Sequence, residues 1–308
     1  MPQTRRGRPG DSEQPRRGRG QRGKSAANLQ LIERAKVILE EIQPAGVRAV
    51  CYRLFVNGWL PSMSKNCTDK VSKQLVYARE EGLIPWEWIV DETRAVERVP
   101  VWGNATEYIA DLERDYRRDA WLRQRYRVEV WSEKATVSGT IAPVLDAYGV
   151  SYRYMHGGYS SATALHETAE ESEAETRVFV VLYVGDWDPS GMHMSEVDVR
   201  NRLERYGGDV LVVRIALTAA DIADPGLPSF AVETKRKDAR FRWFVANYGQ
   251  QCWELDALSP VVLRQRVETE ICRYIDWAVW HRSTLAEAAE KATIRTIMGE
   301  WTRRLSRG

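Results

Sequence analysis

The sequence predicts an α/β protein: an N-terminal winged helix-turn-helix, then a Rossmann-like domain with a mainly parallel sheet, then a helical C-terminal extension. Three observations carry this. Residues 178–184 (VFVVLYV) are an uninterrupted apolar run, as in a strand covered on both faces. Strand-like and helix-like segments alternate from 126 to 215 at the spacing of right-handed crossover units. Ahead of them, 27–100 shows three short helical patterns and a strand-like return. A helical bundle with a solvated charged face is the plainer alternative for that N-terminal stretch.

Residues 1–26 are rich in Gly, Pro and Arg and nearly devoid of apolar side chains. Such a segment cannot bury enough surface to offset its ordering entropy, so a disordered basic tail is expected. Its RGR and RGRG steps suit a nucleic-acid backbone, and a merely solubilising tail accounts for them equally. Next, Leu29, Ile32, Ala35, Ile38, Leu39 and Ile42 recur at helical spacing until Pro44-Ala45-Gly46. A second helix is expected over 47–57, with Val47, Val50 and Leu54 on one face and Gly58 as its terminator. A third is expected to start after Cys67, capped by Thr68 or Asp69, and to end before Gly82. Its apolar face is Val71, Leu75 and Ala78, and its opposite face, Lys70, Lys73, Gln74 and Tyr77, suits DNA phosphates and base edges. Residues 83–90 read as extended, and 101–125 as a charged connector helix carrying Tyr108, Leu112, Tyr116 and Trp121.

Within 126–215 the expected order is strand 127–131, helix 136–148 ended by Gly149, strand 151–155, and a Gly157-Gly158 turn. A helix to 173, strand 178–184, helix 191–206 and strand 209–215 complete the domain. The extension, 216–308, is mostly helical after Pro225 and Pro228, with a stripe of Leu263, Val267, Ile271, Tyr274 and Ala278. No internal repeat is evident.

The 308 residues are 44% hydrophobic and 29% charged, which allows a packed core and disfavours global disorder. No window approaches the ~18 consecutive apolar residues of a membrane span, and the N-terminus has no apolar signal region. A soluble intracellular protein is therefore expected, cytoplasmic and nucleoid-associated if prokaryotic, with no membrane partner. Four scattered cysteines read as buried free thiols. The net charge of +2 hides a tail carrying +6 and a remainder carrying −4. Of 45 cationic side chains 36 are Arg, which suits phosphate, but a GC-rich codon bias explains that as well. Charge alone does not establish a nucleic-acid partner.

Chemistry concentrates at two strand ends, where open parallel sheets gather ligands. The first strand runs into Trp131-Ser132-Glu133-Lys134, and the apolar strand into Gly185-Asp186-Trp187-Asp188-Pro189-Ser190-Gly191. Clustered carboxylates repel unless a cation neutralises them. Glu133 with Asp186 and Asp188 is an all-oxygen set suited to Mg²⁺, or to Mn²⁺. Helix capping by the Asp pair is the alternative. His193 follows the D-x-D and is read as structural or exposed before it is read as a ligand. No C-x-x-C/H-x-x-H set favours zinc, and no P-loop binds ATP.

The E-K at one strand end and the G-D-x-D-P-S-G at another together resemble the Toprim domain of topoisomerases, primases and some nucleases. The pattern over about 28–280 is similar to the A subunit of DNA topoisomerase VI and the related meiotic double-strand-break protein. It is also similar to bacterial and phage Toprim proteins of that type. The resemblance implies that Glu133, Asp186 and Asp188 hold a divalent metal, and that Gly157-Gly158 form the turn after the second strand. It implies a DNA-cleaving tyrosine within Arg48-Ala49-Val50-Cys51-Tyr52, although Cys51 stands where an aromatic residue usually precedes the nucleophile. Arg48 and Tyr52 share a helical face. A guanidinium there would favour the ionised phenol, whose ordinary pKa is ~10, and hold the scissile phosphate. Tyr52 as a plain core aromatic is the competing reading. Glu254-Leu255-Asp256-Ala257-Leu258 resembles the family's E-L-x-A-L segment.

The expectation is a Mg²⁺-dependent, type IIB-like strand-breaking enzyme acting through Tyr52. By resemblance it would be a homodimer with composite sites, relying on a separate ATPase subunit. A Toprim nuclease using water, and a non-catalytic DNA-binding protein of a mobile element, are the alternatives.

Overall fold

The structure is a computed structural model that describes residues 24–90, 100–155 and 162–305. His156, the Gly157-Gly158 turn and all but the end of the basic tail lie outside the described residues. The N-terminal unit begins with α1 (Ala26–Ile42), whose first turn is capped by Ser25 and whose buried stripe is Leu31, Ile32, Ala35, Ile38, Leu39 and Ile42. Leu29, expected in that stripe, faces outward. A two-residue strand, β1 (Ala45–Gly46), leads into α2 (Val47–Val56), and α3 (Lys65–Glu80) follows.

Helix α3 starts earlier than its sequence suggests. Ser64 stands at the N-cap position, and the hydroxyl of Thr68, an expected cap, donates back to the Lys65 carbonyl at 3.1 Å from inside the helix. Gly58 and Gly82, with φ of 72° and 70°, end the second and third helices as expected. The strand-like return is a 3₁₀ turn over Trp86–Trp88 and then β2 (Ile89–Val90), which pairs in parallel with β1. Among the described residues, therefore, no antiparallel wing follows α3.

The expected DNA face of α3 is only half exposed. Lys70 and Lys73 face solvent, whereas Gln74 is buried and accepts from Lys24 Nζ at 2.8 Å. Lys24 also lies 3.9 Å from the Tyr77 ring centroid.

The connector helix is shorter than expected: α4 (Ala105–Asp115) ends before Tyr116, and residues 116–125 are irregular. Trp121 anchors that stretch in the core, its Nε1 donating to the Tyr148 carbonyl at 2.7 Å.

The α/β domain follows as β3 (Tyr126–Ser132), α5 (Thr136–Tyr148), β4 (Ser151–Tyr154), α6 (Ala162–Ala174) and β5 (Val178–Val184). Then come α7 (Pro189–His193), a π-helical turn (Met194–Asp198), α8 (Val199–Arg205) and β6 (Val210–Ala216). The sheet order is β4-β3-β5-β6, every pair parallel. Side chains alternate across it, as strand geometry requires. Val180, Leu182 and Val184 join Val128 and Val130 under α5, while Phe179, Val181 and Tyr183 pack with Trp131 and Leu165 on the other face. Each such buried aliphatic contributes about 1.5–3 kcal/mol, so the sheet is a rigid platform for whatever its strand ends carry.

The extension comprises α9 (Ala219–Ile222), β7 (Phe230–Ala231), α10 (Phe241–Tyr248), β8 (Gln251–Cys252), α11 (Pro260–Cys272) and α12 (Trp277–Leu305). Leu263, Val267 and Ile271 are buried on α11, but the helix stops at Cys272, Tyr274 is only partly buried and Ala278 is exposed. Ile275 takes over that buried position.

Arg264 of α11 joins the extension to the N-terminal unit. It donates to the carbonyls of Ile42, Gln43 and Pro44, each at 3.1 Å, which caps the C-terminal end of α1. Of the four free cysteines Cys51 and Cys252 are buried, while Cys67 and Cys272 are partly exposed. Among the described residues no helix is long and apolar enough to cross a membrane.

Candidate active site

The site lies where β3 and β5 end. Strand β3 delivers Glu133 and Lys134 just before α5, and β5 delivers Asp186 and Asp188 just before α7. Asp188 is 1% exposed and serves as the N-cap of α7. Its Oδ1 accepts from the Gly191 amide at 2.8 Å and from the Ser190 hydroxyl at 2.9 Å. Behind the loop, Arg214 of β6 donates to the carbonyls of Gly185 at 2.9 Å, Gly191 at 3.1 Å and Leu217 at 2.7 Å, and to that of Asp186. A Cβ on Gly191 would stand 2.8 Å from Glu133 Oε1 and would strike the Asp186 carbonyl. Glycine is what lets helix α7 approach Glu133 so closely.

Two lysines neutralise the aspartates. Lys134 Nζ lies 2.8 Å from Asp186 Oδ1 and 2.9 Å from Asp256 Oδ2, and Lys235 Nζ lies 3.0 Å from Asp188 Oδ2. Asp256 comes from the E-L-x-A-L segment, which the D-x-D loop seats by its backbone. Trp187 and Trp253 exchange amide–carbonyl bonds of 2.9 and 3.0 Å, and the Leu255 amide donates to Asp186 Oδ1 at 2.7 Å. The same segment meets α2: Arg48 pairs with Glu254, and its Nε lies 3.1 Å from Asp256 Oδ2. The Arg48 guanidinium stands 5.7 Å from the Tyr52 ring centroid, so the helical-face pairing read from the sequence is present.

Burial and the neighbouring Asp186 and Asp188 push the Glu133 carboxyl up to about 7. Burial also raises Asp186, against the opposing pull of Lys134, while Lys235 and the Gly191 amide hold Asp188 below the usual carboxylate range despite its burial. Tyr52 departs from expectation. It is 6% exposed, and burial together with the Glu254 carboxylate beside it raises its pKa, outweighing the pull of Arg48. In this arrangement the phenol is held protonated, and Arg48 is committed to two carboxylates instead of standing ready for a phosphate.

An open cleft of about 330 Å³ is lined by Arg48, Glu133, Lys134, Tyr154, Asp186 and the Glu254/Asp256 pair, together with Ala135 and Thr136. Among the described residues no three His, Cys, Asp or Glu side chains are placed to hold one ion. Lys134 and Lys235 already occupy two of the three carboxylates. Oxygens remain open nonetheless. Among the described residues Glu133 makes no hydrogen bond or ion pair, and Lys134 and the Leu255 amide both meet Asp186 at Oδ1. Beside Glu133, the Tyr183 hydroxyl is buried without a partner. Mg²⁺ commonly binds through one or two carboxylates and keeps several waters, so Glu133 and Asp186 fit a hydrated ion, not a closed cage.

Sequence reasoning gives no role to Lys235 or Arg214, and counts Glu254 and Asp256 only as part of a motif; no periodic pattern marks such long-range pairs. His193 packs edge-on against Trp243 at 5.0 Å, a structural position. No protein-family model matches the chain, and no curated protein or solved structure matches it either.

Proposed function

We propose that this chain is a divalent-metal-dependent DNA-binding enzyme that breaks strands by transesterification from Tyr52. On this reading the sheet domain is a Toprim domain and residues 27–100 are its DNA-binding partner, built on three helices with the parallel β1–β2 pair where a winged helix carries an antiparallel wing. One observation carries it: Asp256 joins Arg48, one turn from Tyr52, to Lys134, which holds Asp186. The tyrosine helix and the acidic strand ends thus border the same cleft.

The chemistry asks one oxygen to replace another on phosphorus. The Tyr52 oxygen forms the new O–P bond, and Glu254, beside the phenol, takes its proton. The sugar oxygen leaves and is protonated from solvent. Arg48, released from Glu254 and Asp256 when DNA enters, holds the phosphate oxygens through its planar fork. Glu133 and Asp186, with Asp188 beside them, would hold a divalent ion, whose charge would offset that developing on the phosphate. The resemblance assigns Tyr52 and the acidic group to different subunits of a homodimer; within one chain Arg48 of the tyrosine helix lines the acidic cleft, while Tyr52 itself is buried behind it. A second copy would serve to pair breaks on two strands, and a separate ATPase subunit would serve strand passage.

The burial of Tyr52 favours a second reading, in which the acidic cleft cuts DNA with water and the tyrosine is structural. Plasmid cleavage by Tyr52→Phe in Mg²⁺ separates the two. Loss of cutting with unchanged thermal stability supports the tyrosine, and undiminished cutting assigns the chemistry to water.

A further inference from the structure

A second cavity, of about 780 Å³, opens between α2, α3 and β2. It shares Arg48 and Thr136 with the acidic cleft, so the two spaces meet at the Arg48 side chain. Its apolar lining includes Val47, Cys51, Val76 and Ile89. Thr68 and Ser72 add hydroxyls along one wall, and the charged groups in the lining are Arg79, Asp69 and Arg48, the last already paired with Glu254 and Asp256.

At the rim Trp86 is 59% exposed, a large apolar surface to leave in water. Arg79 lies over its ring at 4.7 Å, and the Arg79 Nε is buried without a hydrogen-bond partner. A flat aromatic face, an adjacent guanidinium, hydroxyls along the wall and a second guanidinium at the entrance to the acidic cleft suit a ligand with flat bases joined by anions. Base stacking on aromatic side chains is sequence-tolerant, and cation–π contacts from Arg strengthen it.

We infer that this groove binds an unpaired stretch of the DNA strand, stacking a nucleobase on Trp86 beside Arg79 and delivering the next phosphate to Arg48. This rests on the DNA-breaking function proposed above and adds where the strand runs. The α3 side chains that line the groove are Thr68, Asp69, Ser72, Val76 and Arg79, a different face from the one carrying Lys70 and Lys73.

The test uses the full chain, EDTA to prevent cutting, and a single-stranded oligodeoxynucleotide carrying 2-aminopurine, with its duplex as the second probe. Trp86→Ala, a change at an exposed side chain, is expected to weaken single-strand binding about 5- to 150-fold, the equivalent of one lost stack, and to abolish 2-aminopurine quenching. Trp86→Phe is expected to retain most of both. Unchanged single-strand affinity and quenching in Trp86→Ala, or a loss confined to the duplex, overturns the inference and leaves the DNA-breaking proposal standing. A wild-type chain that binds neither probe overturns both.

Discussion

The Nε of Arg48 lies 3.1 Å from Asp256 Oδ2, although 208 positions separate the two residues. Asp256 also receives Lys134 at 2.9 Å, so one carboxylate ties the tyrosine helix to the lysine that holds Asp186. Asp256→Ala is expected to leave Lys134 with half its partners and Arg48 with only Glu254. Unfolding in urea should show a loss of about 1–3 kcal/mol, the usual cost of removing one side of a largely buried charged hydrogen bond. Hydrogen exchange should place the loosening in α2 and residues 253–258.

Gly191→Ala would push a methyl group against Glu133 Oε1 and the Asp186 carbonyl. Overpacking of that kind costs about 1–3 kcal/mol. Calorimetric titration with Mg²⁺ is expected to show weakened uptake, while Gly299→Ala, at a position with open space around it, should bind as the parent does.

The raised pKa of Glu133, about 7 against an ordinary 4.5, gives a signed pH effect. Between those values the folded protein holds a proton that the unfolded chain has lost. Raising pH through that window therefore removes stability. In EDTA, Glu133→Gln is expected to match the parent's melting temperature near pH 4 and to exceed it at pH 8. At pH 8 added Mg²⁺ should raise the parent's melting temperature and leave the variant's unchanged. Parallel pH profiles for the two proteins would contradict this.

Arg264 supplies donors to three successive carbonyls at the end of α1. Arg264→Met keeps much of the stem and removes those donors. Faster hydrogen exchange is expected in α1 and β1, with the central sheet unaffected.

Much of the fold is legible in the residues. The all-apolar VFVVLYV stretch became the central strand β5, and 136–148 is a helix with those bounds, ended by Gly149 in the left-handed region at φ 60°. The helix expected over 191–206 is present, but the π-turn at Met194–Asp198 leaves no mark in apolar spacing. Helix α3 was harder to delimit because Ser64 and Thr68 are both fit to cap, and polarity alone does not separate exposed Lys73 from buried Gln74. In the site, Glu133 and the D-x-D were visible as acidic strand ends. Neutralisation of the two aspartates by Lys134 and Lys235 was not, because it depends on where residues 235 and 256 return in space. The raised pKa of Tyr52 is illegible in the sequence for the same reason: Arg48 lies one helical turn away in the chain, whereas Glu254 reaches the phenol only through the fold.

The most direct measurement is to incubate the full chain with supercoiled plasmid and Mg²⁺, denature with detergent, digest, and sequence any nucleotide-bearing peptide by mass spectrometry. The prediction is a phosphodiester on Tyr52, absent from Tyr52→Phe and from Glu133→Ala. Cut plasmid with no modified peptide, or plasmid left intact by a folded, DNA-binding protein, would contradict it.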